Sequence, residues 1–171
     1  MAERAGLELY LVRHAQAIDG EHMADEHRPL TAHGRQQALD VGGALKKAGV
    51  RPGHIVSSPL VRAVETAELI AIATGFDGGL GIAPALQPDG SWKELLRTLI
   101  EPCLGEATPA PLMLVGHEPS IGHFLGKLLH QKGLSMSKGA VIRLTLRSVD
   151  EPATLIWAVS PKRLEPAGSL P

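Results

Sequence analysis

Leu9-Tyr10-Leu11-Val12-Arg13-His14-Ala15 decides how the chain is read. An apolar run suited to a buried strand ends in an arginine followed by a histidine. Two later stretches repeat the plan. Ile55-Val56 leads into Ser57-Ser58-Pro59 and then Arg62, and Leu112-Met113-Leu114-Val115 leads into Gly116-His117-Glu118-Pro119. In each, a strand stops, a turn follows, and polar residues precede a helix. In parallel α/β proteins, ligands bind beyond the carboxyl ends of the strands. Two arginines and two histidines then share one pocket, which suits an anion, most plausibly phosphate.

Working outward, Leu7 to Val12 read as the first strand after a loose start. Residues 15–33 form a polar loop carrying His22, His27 and His33. Thr31 is the expected N-cap of a first helix, whose inner face is Ala38, Val41, Gly42, Leu45 and Ala48 and which Gly49 stops. His54 to Val56 read as a second strand. Ser58 is expected to cap the second helix, with Pro59 in its first turn. Ala63, Ala67, Ile70 and Ala71 face inward there, and Gly75 ends it. A weak strand surrounds Ile82. Ser91-Trp92-Lys93-Glu94 is a capping box opening a third helix with the stripe Trp92, Leu95, Leu96 and Leu99.

Pro102, Pro109 and Pro111 predict a loop over 101–111. The wholly apolar Leu112–Val115 suits a strand at the sheet centre. Pro119 opens a fourth helix that buries Ile121, Phe124, Leu125 and Leu128 and ends at Gly133. Ala140 to Leu146 and Thr154 to Val159 read as two further strands, and the tail from Pro161 is expected to fray. The alternation predicts an α/β fold: a three-layer sandwich with a mostly parallel central sheet and helices on both faces. One domain over 1–171, with its core at about 7–160, is expected.

Composition narrows the function. With 44% hydrophobic and 20% charged residues the chain reads as globular, not disordered. The formal net charge of -1 gives no basic field for nucleic acid, and aromatic residues at 3% leave little for base stacking. No apolar run approaches the roughly 18 residues of a membrane span, and Met1-Ala2-Glu3-Arg4 lacks a signal-peptide core. A cytoplasmic location is the expectation. Cys103 is the only cysteine, so no internal disulfide forms. It is no cysteine-phosphatase nucleophile either, because such sites need an arginine six positions on and position 109 is proline. The loop histidines match no tight metal-ligand spacing, and no glycine-rich loop resembles a nucleotide fingerprint. No metal or cofactor is called for.

These blocks resemble the histidine phosphatase superfamily, and within it the small SixA-type phosphohistidine phosphatases, which share a phosphoglycerate mutase-like fold. The resemblance rests on Leu11-Val12-Arg13-His14-Ala15, Arg28-Pro29-Leu30-Thr31 with Gly34, Ser57-Ser58-Pro59 with Arg62-Ala63 and Thr66-Ala67, and Val115-Gly116-His117-Glu118-Pro119. It implies that His14 is the nucleophile, Arg13 and Arg62 the phosphate clamps, and His117 the second histidine of the pocket. Arg28 matches a position near the pocket. Ala15 stands where many members have glycine. Gly116 replaces a frequent serine.

The chemistry fits those residue types. Phosphoryl transfer is catalysed mostly by positioning and charge stabilisation, and the planar, permanently charged arginine fork supplies both. A neutral imidazole attacks without a separate base, and nearby arginine charges favour that form of His14. Its other ring nitrogen is expected to donate to a carbonyl or carboxylate. His117 is expected to be protonated. A covalent phosphohistidine intermediate follows, which water cleaves.

A phosphate ester gains much from a general acid. The segment where ester-cleaving relatives carry one offers only Asp77, Asp89, Glu94 and Glu101. Asp89 is the best of these but reads as a turn residue. The lack of an obvious acid favours a phosphoramidate, such as phosphohistidine on a partner protein. A small-metabolite phosphomonoesterase and a catalytically silent phospho-binding module are the alternatives; a mutase fits less well. Ser57 and Glu118 are further candidate substrate contacts, each with a structural alternative: a turn for Ser57 and a helix cap for Glu118. Gln16 and Asp19, just after His14, are explained equally well as polar loop residues.

Overall fold

The apolar runs become strands of one sheet. β1 (Leu7–Arg13), β2 (His54–Ser57), β3 (Gly81–Ile82) and β4 (Leu112–Gly116) form its parallel part, while β5 (Val141–Leu146) and β6 (Thr154–Val159) add antiparallel on the far side of β1. The order across the sheet is β3-β2-β4-β1-β5-β6. The computed structural model describes residues 5–161; of the loose start expected over 1–6 and the frayed tail expected from Pro161, residues 1–4 and 162–171 lie outside the described residues.

Period-two alternation divides the strands between two cores. Leu7, Leu9 and Leu11 of β1 and Leu112 and Leu114 of β4 pack with Phe124, Leu125 and Leu128 of α5 (Ser120–Leu129). Tyr10, Val12, Met113 and Val115 point the other way. They pack on Val41 and Leu45 of α1 (Ala32–Lys47) and on Ala63, Ala67 and Ile70 of α2 (Val61–Thr74). Helices therefore cover both faces, and β1 and β4, buried on both sides, are apolar throughout. Among the described residues no helix is long and apolar enough to cross a membrane.

Several boundaries differ from expectation for local reasons. β1, β2 and β4 each run one residue further, because Arg13 pairs with Gly116 and Ser57 with Val115. The second helix starts at Val61 with Leu60 as its N-cap residue, not at Pro59. Ser58 Oγ does accept an N–H, that of Leu60 at 3.2 Å, but two residues ahead of the N-cap position. The third helix runs past Pro102. It comprises α3 (Trp92–Leu95), a π-turn (Leu96–Ile100) and α4 (Glu101–Leu104). Pro102 has no N–H to give and its ring would press on the preceding turn; the widened turn, closed by Glu101 N–H to Leu96 O, passes it. The fourth helix ends at His130 in the left-handed region (φ 53), before Gly133, and Gln131 N–H closes onto Gly126 O at 2.9 Å.

β1 and β4 are neighbours, yet the helix after β1 lies on one face and the helix after β4 on the other. Their ends form a topological switch point, where an α/β sheet opens a crevice. The segment leaving that crevice is pinned to α1. Thr31 N–H donates to Gln16 O at 3.0 Å, and Thr31 Oγ1 accepts the Gly34 N–H at 2.9 Å. A Cβ at position 34 would stand 2.0 Å from Gln16 O. Gly34→Ala is therefore expected to destabilise the fold by about 1–3 kcal/mol through overpacking. Urea unfolding at neutral pH reads this directly, and an unchanged midpoint would show that the loop yields freely.

Candidate active site

The strand register assembles the site. β1, β4 and β2 end level, and the first residue beyond each ladder is tied across it. His14 N–H donates to Gly116 O and Ser58 N–H to Val115 O, both at 3.0 Å. His14 and His117 consequently face each other with ring centroids 4.9 Å apart. Arg62, second residue of α2, is 97% withdrawn from solvent. The charges of Arg13 and Arg62 both act on both histidines. The fold brings these four residues close together.

His14 donates from Nδ1 to its neighbour's carbonyl, Ala15 O, at 2.7 Å. A carbonyl only accepts, so the neutral ring carries its proton on Nδ1 and presents a bare Nε2. Burial pulls its pKa down to about 4; the Ala15 bond opposes this, and the charges of Arg62, Arg13 and Lys138 add to it. His117 differs from expectation. Burial, then His14 and Arg62, lower its pKa to about 3, so in the free protein it is neutral, not protonated. Its Nε2 lies 2.8 Å from Ser58 Oγ. With Ser58 donating, the proton sits on Nδ1, a buried nitrogen with no partner among the described residues. Arg13 Nε and Arg62 Nε are buried and unpartnered in the same way. Three such nitrogens, two of them guanidinium N–H donors, thus stand around one histidine without a partner.

The remaining atoms of the arginines are fixed by backbone. Arg13 Nη1 donates to Met136 O at 2.7 Å, and Met136 N–H donates to Glu118 Oε1 at 2.7 Å. Glu118 is thus a strut beneath the Arg13 clamp and makes no capping bond to α5. Gly122 makes this possible, since a Cβ there would come within 2.7 Å of Glu118 Oε1. Gly116, which costs the site a serine hydroxyl, brings a close approach instead; its missing Cβ would lie 3.1 Å from Leu86 O. Thr66 Oγ1 accepts the Ala15 N–H at 3.1 Å and donates to Arg62 O at 2.7 Å, locking the histidine segment to α2.

One residue of the site was not legible in the sequence. Asp25, in a short 3-10 turn (Asp25–His27), accepts Arg62 Nη2 on Oδ2 at 3.0 Å and Arg62 Nη1 on its carbonyl at 2.7 Å. Its Oδ1 takes Arg28 Nε and Nη2 at 2.9 and 2.7 Å. Arg28 therefore meets the site through Asp25 and also donates to Ile18 O. The Arg28 hydrogen bonds, joined by Arg62, hold the Asp25 carboxyl below its usual range, so it is ionised. Only its position, three residues before an arginine, could have singled it out.

Ser57 donates its hydroxyl to Ser58 O at 2.9 Å and is spent on the turn. Asp77, Asp89, Glu94 and Glu101 are all exposed, and Asp89 makes no hydrogen bond or ion pair among the described residues. Gln16 turns to Thr31, its Oε1 accepting the hydroxyl at 2.9 Å. His22, His27 and His33 are exposed, and the described residues contain no cluster of three metal-ligating side chains. Cys103 is half-buried and donates to Leu99 O; burial, with Glu106, raises its thiol pKa.

The depressed imidazoles make stability depend on pH. Between pH 6.5 and about 3–4 the unfolded chain binds protons at both histidines while the folded chain does not. Their share of stability is complete above pH 6.5 and is lost as pH falls through that window. The denaturation midpoint should fall with acidification from pH 6.5, and His14→Asn, which keeps a donor for Ala15 O, should lessen the fall. An identical pH profile in the variant would mean that His14 is not held neutral.

With this geometry, the similarities to known proteins gain meaning. Residues 9–88 match the histidine phosphatase superfamily (branch 1). An uncharacterized protein of Picosynechococcus is 36% identical over 149 residues, 81% of this chain and 84% of that protein. The "Probable phosphoglycerate mutase GpmB" of Salmonella arizonae is 42% identical over 74 residues, 42% of this chain, but the match spans only 34% of that protein. In structure, the protein histidine phosphatase SixA complexed with tungstate superposes with a TM-score of 0.83 at 24% identity, covering 93% of this chain and all of that one. The fold is therefore the phosphoglycerate mutase-like fold of SixA, and membership of this family supports phosphatase activity. The chain belongs to the histidine phosphatase superfamily.

Proposed function

We propose that the protein is a phosphatase acting through a covalent phosphohistidine on His14, and that its substrate is protein phosphohistidine or another phosphoramidate. One observation carries this reading: the Nδ1 bond to Ala15 O leaves a bare Nε2 on the His14 ring, beside unpartnered nitrogens of Arg13, Arg62 and His117. A phosphoryl group fits that arrangement, with its oxygens taking N–H donors from Arg13, Arg62 and His117 while Nε2 attacks phosphorus. SixA, which has the same fold, forms a complex with tungstate, an oxyanion of similar shape.

The Nε2–P bond forms as the substrate's N–P bond breaks. The leaving group departs neutral, because its proton is already in place on the far ring nitrogen of phosphohistidine or on the amine of a simple phosphoramidate, so no protein acid is needed. Asp25 is ionised by its arginines and the other candidate acids are exposed, which favours a nitrogen leaving group over an alkoxide. Water then attacks the phosphorylated His14, releasing phosphate and restoring the bare nitrogen. His117, neutral in the empty site, gains a proton more readily beside a dianionic phosphoryl group and so stabilises its oxygens. We read residues 1–171, with a core at about 7–160, as the single domain that carries this activity.

The test is phosphate release, without added metal, from a phosphohistidine-bearing protein and from p-nitrophenyl phosphate. A strong preference for the first is expected, with acid-labile, base-stable phosphate trapped on the enzyme. His14→Asn should abolish both turnover and trapping while the protein stays folded; residual trapping would move the nucleophile elsewhere. Arg62→Ala should lower kcat by about 10²-fold or more, and an effect confined to KM would remove it from the transition state. Equal or faster ester hydrolysis would replace the phosphoramidate reading with a phosphomonoesterase.

Asp25→Asn should tighten inhibition by inorganic phosphate about threefold or more, because a carboxylate charge leaves the Arg62 fork. Weaker inhibition would instead make Asp25 an aid to anion binding.

A further inference from the structure

Beside the phosphoryl pocket, and sharing Arg13 with it, lies a second cavity of about 340 Å³. Gln16, His33, Gln37, Ser137 and Lys138 complete its polar wall. The mechanism above uses none of these five side chains. Lys138 lies near enough for its charge to act on His14.

The two amides are oriented by their other contacts. Gln37 Oε1 accepts the Gln16 backbone N–H at 3.1 Å, a bond in which only oxygen can serve. Gln16 Oε1 takes the Thr31 hydroxyl at 2.9 Å. The ends left free are therefore the two Nε2 amino groups, which only donate. Lys138 donates only, and carries charge. Among the described residues no carboxylate lines the cavity. A wall built this way is complementary to an acceptor-rich anionic group, and Arg13 makes it continuous with the reacting phosphoryl group.

We propose that this cavity binds a carboxylate of the substrate, carried close to the nitrogen that bears the phosphoryl group, and so selects which phosphoramidates are turned over. The proposal rests on the phosphatase reading above. Two amide donors and one ammonium match the lone pairs and single charge of a carboxylate, while the dianionic phosphoryl group is taken by the arginine pair. The carboxylate has two possible sources: an acidic residue near phosphohistidine in a protein, or the substrate's own carboxylate in a small phosphoramidate.

Paired substrates separate these sources. One pair is a phosphohistidine peptide with Glu or Gln next to the phosphohistidine. The other is the free amino acid phosphohistidine or its carboxamide. Phosphoramidate itself, which has no carboxylate, is the fifth substrate. For the full chain, kcat/KM should favour the carboxylate member of at least one pair by about tenfold, the scale of a charge-assisted hydrogen bond. Preference in the peptide pair assigns the carboxylate to a protein, and preference only in the amino-acid pair assigns it to a small substrate.

Gln37→Glu keeps an oxygen for the Gln16 N–H but replaces the free donor with a negative acceptor, so the ratio should fall to one or below. Lys138→Glu, at an exposed position, should lower it as well; reading the ratio cancels any effect of that charge on His14. A wild-type ratio near one in both pairs, or a ratio unchanged in both folded variants, would overturn the subsite while leaving the phosphatase reading intact. No phosphate release from any of the five substrates would remove both.

Discussion

Two guanidinium groups and two imidazoles are drawn together at the ends of three parallel strands, and most of the surrounding structure manages the charge this concentrates. Burial and the neighbouring cations keep both imidazoles neutral. The guanidiniums are anchored on backbone carbonyls, Met136 O for Arg13 and Asp25 O for Arg62, which orient them without cancelling their charge. One carboxylate stands one step back, and the other pairs with Arg62 directly at 3.0 Å. Glu118 acts through the Met136 peptide, and Asp25 approaches from a mostly exposed turn. The result is a cluster stable when empty and still short of acceptors.

How much of this was legible in the sequence follows from what each feature depends on. Strand ends and helix faces were readable because apolar periodicity is local and strong. β1 and β4 showed it as unbroken runs, and α2 and α5 as inward stripes, α2 with a clear stop residue in Gly75. The core quartet Arg13, His14, Arg62 and His117 was readable because strand ends converge in this class of fold. Features set by contacts distant in sequence were not. The passage of the third helix across Pro102 depends on a π-turn, and proline by itself argues for a break. The neutrality of His117 depends on burial that no pattern announces. Asp25 lies in a polar loop where any acidic residue looks like a solvated one; only its two arginine partners distinguish it.

Glu118 and Gly116 make the same point from the other side. Both were noticed for their place beside His117, and both turn out to serve packing at the pocket wall. Glu118 supports the peptide that holds Arg13, and Gly116 admits the Leu86 carbonyl. Residues next to a functional histidine are thus constrained by the scaffold as much as by ligand.

The Asp25 contact also bears on the kinetics of encounter. In the empty protein the Arg62 fork already faces a carboxylate, so the field that reaches into solvent is smaller than two clamps would generate. Long-range attraction of an anion scales with that unscreened field and gives association rates their ionic-strength dependence. With part of it cancelled internally, arrival is governed more by diffusion and shape than by electrostatic steering. Discrimination then rests on close contact, because Asp25 already occupies the Arg62 fork that an anion would meet. Abundant small anions in solution gain little advantage from their charge alone.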